Sequence, residues 1–225
     1  LELEAKKSAF FNKDDAPQLL LRHHLMQAKL AGFMQSPQYV FQRYPSADKS
    51  LPARYARSIS MFRKGDTKNA IPIIDSLIRD IPENPYFWEL KGQALLEGGA
   101  PAKALASLRQ ANKLLPNSGL IQILYAQALI ATEDRANIKQ ALNRLTLAKK
   151  TERDSVDVYK YSALAYGYLN DLPRAELATA EMAMMQGDTA LASEKAKRVI
   201  GQFKHGSPEW MKANDVLNFT SKERN

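Results

Sequence analysis

Apolar residues recur along most of this chain at the three- and four-residue spacing of a single helix face, and glycine or proline interrupts them at short intervals. From Leu51 to Asn84 the pattern predicts a helix, a turn at Gly65-Asp66, a second helix carrying Ala70 and Ile74, and a stop at Pro82. From Pro85 to Ser118 the same order returns, with Gly99, Ala104, Leu108 and Pro116 each 34 residues after its counterpart. Each segment therefore reads as one helical hairpin. Glycine accepts the left-handed conformation that closes the first helix. Alanine is small where two antiparallel helices cross, and Ile74 and Leu108, four residues on, lie on the same face and fill the space beside it. Proline denies the second helix a backbone donor and turns the chain into the next hairpin.

The register continues with lower fidelity. Gly119 to Ser155 keeps Ala126, Leu129, Ala141, Leu145 and Ala148 but is three residues longer, and the extra residues are expected in the turn around Glu133 to Asn137. The next copy starts near Val156 with Tyr159, Ala163, Tyr166, an Asn170-Asp171 turn, Ala175 and Met182. Gly187-Asp188 repeats the Gly65-Asp66 turn, so the helix Arg174 to Gln186 is expected to pair both backwards and with Leu191 to Phe203. Ser207-Pro208 starts a last helix, running to about Phe219, with a capping serine and a first-turn proline. Upstream, Asp15-Ala16-Pro17 opens an amphipathic helix to about Ala31, with Leu20, Leu21, Leu25, Met26 and Leu30 available for burial and Gly32 as its end. Ser36-Pro37 starts a short helix with Tyr39, Val40, Phe41 and Tyr44. These two helices are predicted to cap the exposed end of the first repeat.

Trp88, Gly92, Gly99, Ala104 and Pro116 resemble the tetratricopeptide (TPR) signature, whose period is 34 residues. The predicted fold is all-α, a right-handed α-solenoid of TPR hairpins with capping helices at both ends. Its boundaries are residues 15–50 for the N-terminal cap and 51–206 for the repeats, divided as 51–84, 85–118, 119–155, 156–187 and a partial 188–206. Residues 207–225 form the C-terminal cap and tail, and 1–14 a linker or the tail of a preceding domain.

Composition changes the picture little. The 225 residues are 45% apolar, with 32 Lys and Arg against 24 acidic residues, a net charge of +8. The basic residues, among them Arg54, Lys91, Arg109, Lys139, Lys149, Lys195 and Lys212, are scattered over many helices, with no dense run interleaved with aromatics. A nucleic-acid partner is therefore not expected. Cysteine is absent, which removes disulfides and thiolate metal sites. No apolar stretch approaches a membrane span, and the start LELEAKKSAFFNKDD has no signal-peptide architecture. The chain begins without Met and reads as a piece of something longer. His23 and His24 are adjacent and point about 100° apart on a helix, so they cannot form the same-face zinc pair made by a four-residue spacing. Glu97-Gly98-Gly99-Ala100-Pro101 is a helix turn that lacks the lysine of a phosphate loop. No catalytic constellation is evident in the chain.

The segments Leu21 to Gly32, Tyr44 to Gly65 and Asn84 to Gly99 resemble the carboxy-terminal half of alphaproteobacterial zinc metalloproteases of the BepA type, in which an HExxH peptidase domain related to that of HtpX precedes a TPR domain. The resemblance covers nearly the whole chain and makes residues Leu1 to Phe11 the tail of the peptidase domain or the linker after it. It implies a periplasmic protein, peripheral to the outer membrane, that serves quality control and assembly of outer-membrane β-barrel proteins. No HExxH occurs in this sequence, so no zinc site carries over. The chain itself is expected to be non-catalytic and without cofactor, with zinc only in the peptidase domain. The expected partners are protein or unfolded polypeptide segments, the β-barrel assembly machinery, or the peptidase domain of the same protein.

Projecting the groove positions of TPR proteins onto this sequence gives Tyr55, Ile59, Phe62 and Arg63 from the first hairpin and Tyr86, Glu89, Gln93 and Leu96 from the second. Ile123, Gln127 and Ile130 follow, then Lys160 and Tyr168. The set is aromatic, aliphatic and amide rather than the converging Lys, Arg and Asn of a carboxylate clamp. Client binding and docking on the peptidase domain both fit it. A free-standing scaffold joining a protein complex, and an RNA-binding helical repeat, are the alternatives from other classes.

Overall fold

The computed structural model describes residues 16–222. Among these it contains twelve α-helices, one short 3-10 turn and no strand. The described residues divide into two compact units, one ending at Pro82 and the other starting at Glu83, each described by itself.

In the first unit, α1 (Pro17–Met34) lies along α3 (Leu51–Arg63), which pairs in turn with α4 (Thr67–Asp80); the short α2 (Pro37–Arg43) also touches α3. Gly32 does not end α1 as its composition suggests. It sits within the helix, and a Cβ there would lie 2.7 Å from Ile59 Cβ, so glycine marks the close crossing of α1 on α3. Of the apolar residues available on α1, Leu25 is buried, whereas Leu20, Met26 and Leu30 remain exposed. Ser36 and Ser50 cap α2 and α3 by accepting from the backbone N–H groups of Tyr39 and Ala53. The α2–α3 connection is fastened by buried Arg57, whose guanidinium donates to the carbonyls of Tyr44, Pro45 and Asp48 at 3.2, 2.6 and 2.8 Å. Arg54 clamps α3 to α4 by donating to Ser76 and Asp80.

The second unit holds α5 (Pro85–Glu97) with α6 (Pro101–Leu114), α7 (Gly119–Ile130) with α8 (Arg135–Ala148), α9 (Val156–Tyr168) with α10 (Leu172–Met185), then α11 (Thr189–Val199) and α12 (Pro208–Lys222). Helix α10 packs on both α9 and α11, as the repeated Gly187-Asp188 turn implies. Ala104, Leu108 and Ala111 are fully buried, and a Cβ on Gly92 would fall 2.4 Å from Leu108 Cγ. Helix α7 is apolar nearly all round and buries Ile121, Tyr125, Ala126 and Leu129 because neighbours cover it on several sides.

The same turn closes most hairpins. The residues Gly65, Gly99, Asn170 and Gly187 have φ of 81, 76, 61 and 77°. In each case the following N–H reaches back to the carbonyl five residues earlier, from Asp66 to Met61, Ala100 to Leu95, Asp171 to Tyr166 and Asp188 to Ala183. Three of those following residues, Asp66, Asp171 and Asp188, then cap the next helix with their carboxylates. Glu133, at φ 57°, occupies the corresponding place between α7 and α8, and Asp134 caps α8. Glu133 follows Gly99 by 34 residues, so the third hairpin turn is in register and has no insertion. The three extra residues lie instead between α8 and α9, where Thr151 and Glu152 pack over Gly119 at the start of α7. With a glutamate in the glycine position and no proline after α8, the sequence hid both facts.

Ala104→Leu would overpack the α5–α6 crossing and should destabilise the protein by about 1–3 kcal/mol, measured by equilibrium denaturation of the whole chain. Stability equal to wild type would refute the close crossing at this position.

Candidate functional site

Most of the projected groove on the first hairpin is core. Tyr55 is 3% exposed, and Ile59 and Phe62 on the same face of α3 are also buried. The reason is α1, which lies on α3 at Ile59 and covers surface that a reading of isolated hairpins leaves open. Arg63 is exposed, with Nη1 3.5 Å from the Gly32 carbonyl. Ile123 and Ile130 are likewise buried, because α7 packs against α5, α8 and α9.

The remaining projected residues fall in the second unit, on the first helices α5, α7 and α9, which contact one another in sequence. Tyr86, Lys160 and Tyr168 are exposed; Glu89, Gln93, Leu96 and Gln127 are half-buried. Counting from the first residue of each helix, these positions align in rows. One row holds Gln93, Gln127 and Leu164, and another holds Glu97, Ala131 and Tyr168. The row at the opposite end holds Tyr86, Leu120 and Asp157, and the row between holds Glu89, Ile123 and Lys160. Leu120, Leu164, Glu97 and Asp157 are exposed members that the sequence reading missed, and the shared register of α5, α7 and α9 was the signal that could have found them.

The rows are connected by polar contacts. Gln93 Nε2 donates to Glu97 Oε1 at 2.9 Å, one turn along α5. At the α7–α8 turn the Glu133 carboxylate accepts from the Tyr168 hydroxyl at 3.4 Å, joining adjacent repeats. Leu96 and Tyr161 pack on the apolar cluster of Ile123, Ile130 and Leu129 that forms the floor. Burial pushes the Tyr161 phenol above its ordinary value, and the negative charges of Asp157 on its own helix and Glu97 on α5 push it further. Lys160 lies over the Tyr161 ring at 5.3 Å. This face offers amide groups for peptide hydrogen bonds, apolar area from Leu120, Leu164 and Tyr168, and carboxylates between them.

Other features lead elsewhere. An open cleft of about 460 Å³ between α5 and α6, lined by Trp88, Lys91, Leu95, Lys103 and Gln110, uses the side of α5 opposite Gln93 and Glu97. His23 and His24 are both exposed on α1, with ring centroids 6.0 Å apart, and His205 stacks on Trp210 at 4.2 Å. Among the described residues no three His, Cys, Asp or Glu side chains converge to hold a metal ion. Among the same residues no helix is long and apolar enough to cross a membrane.

Solved structures share this fold. The chain has the fold of tetratricopeptide repeat proteins: it matches YrrB, described as a TPR protein with an unusual peptide-binding site, with a TM-score of 0.59 at 19% identity, covering 86% of this chain and 97% of that one. MamA from Desulfovibrio magneticus RS-1 matches with a TM-score of 0.58 at 16% identity over 79% of this chain and 97% of its own. MamA of MSR-1 matches with a TM-score of 0.56 at 14% identity over 92% of this chain and 99% of its own. No protein-family model matches the sequence, and no curated protein matches it.

Because burial, and after it the charges of Asp157 and Glu97, disfavour the phenolate, Tyr161 should ionise above the ordinary tyrosine value of 10.0, and Glu97→Gln should lower its pKa slightly. The difference between ultraviolet titrations of wild type and Tyr161→Phe isolates this group. No response to Glu97→Gln would mean that α5 and α9 do not bring the two side chains near each other.

Proposed function

We propose that this chain is a non-catalytic protein-binding module whose α5, α7 and α9 face holds an extended or unfolded polypeptide segment. The observation that carries this reading is the row of Gln93, Gln127 and Leu164 flanked by Tyr168, with side chains of equal register on three successive first helices. Amides one helix apart supply donors and acceptors to a peptide backbone, while the leucine and tyrosine supply area for side chains. The peptide-binding site attributed to YrrB, a protein of the same fold, supports the proposal.

The resemblance in Leu21 to Gly32, Tyr44 to Gly65 and Asn84 to Gly99 supports a finer proposal. The module would serve a periplasmic zinc metalloprotease acting near the outer membrane, presenting unfolded β-barrel precursors, contacting their assembly machinery, or docking on the peptidase domain. Zinc would belong to that peptidase domain alone. A free-standing scaffold that joins a protein complex would use the same face and differs only in what it binds. An RNA-binding repeat is disfavoured by the aligned rows, whose only basic member is Lys160.

The double variant Gln127→Ala/Tyr168→Ala should weaken capture of partner proteins from a periplasmic extract by roughly tenfold, equal to about 1.4 kcal/mol. Its melting temperature should stay near that of wild type, and Leu147→Ala on α8 should capture normally. Recovery of outer-membrane proteins or assembly factors supports the client reading, and recovery of only the peptidase domain supports docking. Equal capture by wild type and the double variant refutes this face as the binding site.

A further inference from the structure

We propose that the α5, α7 and α9 face selects polypeptide segments rich in Lys or Arg, a preference that rests on the binding reading above and names its ligand class. The rows and the turn beside them bring four carboxylates, Glu89, Glu97, Asp157 and Glu133, to a surface whose aligned positions carry one ammonium group, Lys160. The chain as a whole carries a net charge of +8, so the negative character is local to the face and opposes the charge of the molecule. The carboxylates are interspersed with apolar area rather than gathered in one spot. Leu164 is 46% and Tyr168 45% exposed, and Leu120 is more exposed than either.

That mixture fits the two-part character of Lys and Arg side chains, which lay a methylene stem on apolar surface and hold a charged head at its edge. At the Tyr168 end, a cation can meet the face of the ring and the Glu133 carboxylate together, since the hydroxyl of that ring already points at the carboxylate. At the other end, Asp157 lies in the first turn of α9, whereas Glu97 on α5 belongs to the row of Tyr168. Neighbouring helices stand about 8–10 Å apart, which a polyproline II segment crosses in one turn of three residues at about 3.1 Å each, returning every third side chain to the same face. A segment with a basic residue at every third position therefore presents one cation to each helix in turn. An acidic segment meets like charge from α5, from the Glu133 turn and from α9, and is disfavoured.

The test measures binding of the full chain to three fluorescent peptides of one apolar framework, carrying Lys, Gln or Glu at every third position. The expected order is Lys over Gln over Glu, with a preference for Lys over Gln of roughly threefold to tenfold, the effect of one or two partly screened ion pairs. Raising the salt concentration should erode that preference and spare the Gln peptide. Glu97→Gln/Asp157→Asn should lower the ratio of Lys-peptide to Gln-peptide affinity toward one, and Lys160→Glu should raise it; a ratio that neither variant changes overturns the inference. Equal binding of the Lys and Gln peptides, or tighter binding of the Glu peptide, overturns this inference while leaving peptide binding intact. Failure of all three peptides to bind overturns both it and the reading on which it rests.

Discussion

One left-handed residue per hairpin is the constraint on which the rest of the structure depends. At Gly65, Gly99, Asn170 and Gly187 a single residue of positive φ ends the first helix by returning an N–H to the carbonyl five residues back. At Gly65, Asn170 and Gly187 an aspartate comes next and caps the second helix at once, so the chain reverses within three or four residues. So abrupt a reversal brings the two helices together near the turn and permits only small side chains where they cross. Ala70 and Ala104 meet that demand, and Gly92 meets it against Leu108. Glu133 holds the same conformation without being glycine, at a cost of about 1–2 kcal/mol for a residue with a Cβ. Its carboxylate is thereby set beside Tyr168 on the next repeat, so the strained residue also contributes to the candidate binding face.

Much of this was legible in the chain, and the illegible parts share one cause. The alternation of apolar period, glycine-aspartate turn and proline stop located the hairpins, because each signal has a local physical reason. The turn at Glu133 was not legible, since nothing local marks a glutamate as left-handed; only the 34-residue register from Gly99 does. Gly32 misled for the converse reason. A glycine after an apolar run is the usual sign of a helix end, but here α1 continues through it and the missing side chain admits Ile59 from α3.

The candidate site shows the same division between local and non-local information. Helical periodicity identified which side of each first helix could face a partner, and for α5 and α9 the exposed side chains of Tyr86, Lys160 and Tyr168 lie there. It could not say which helices would be covered. Tyr55 and Phe62 have the aromatic character of a binding groove, but they lie on a helix that α1 occludes, so the same chemistry serves packing. Ile123 and Ile130 follow the groove register on α7 and still form the floor, because α5 and α9 close over them from both sides. Burial of a repeat helix is set by its neighbours, and the neighbours are not in the helix's own sequence.

Charge follows from that geometry as well. A repeat sequence distributes basic residues freely over outward surfaces, where they are solvated and nearly without consequence for the fold. On the first-helix face, side chains from three helices are brought close together, and each charge acts on the groups across from it. The Tyr161 phenol senses Asp157 and Glu97 although they lie on different helices, which a residue on an isolated surface helix would not. Where a face concentrates carboxylates beside exposed leucine and tyrosine in a chain with excess positive charge, the local field and the net charge recommend different partners. A segment in contact with the face lies about a Debye length or less from its carboxylates, whereas the distant lysines and arginines are screened at physiological salt. For the proposed ligand, the local field would therefore govern which segment stays bound, and the net charge only how the molecule is approached from afar.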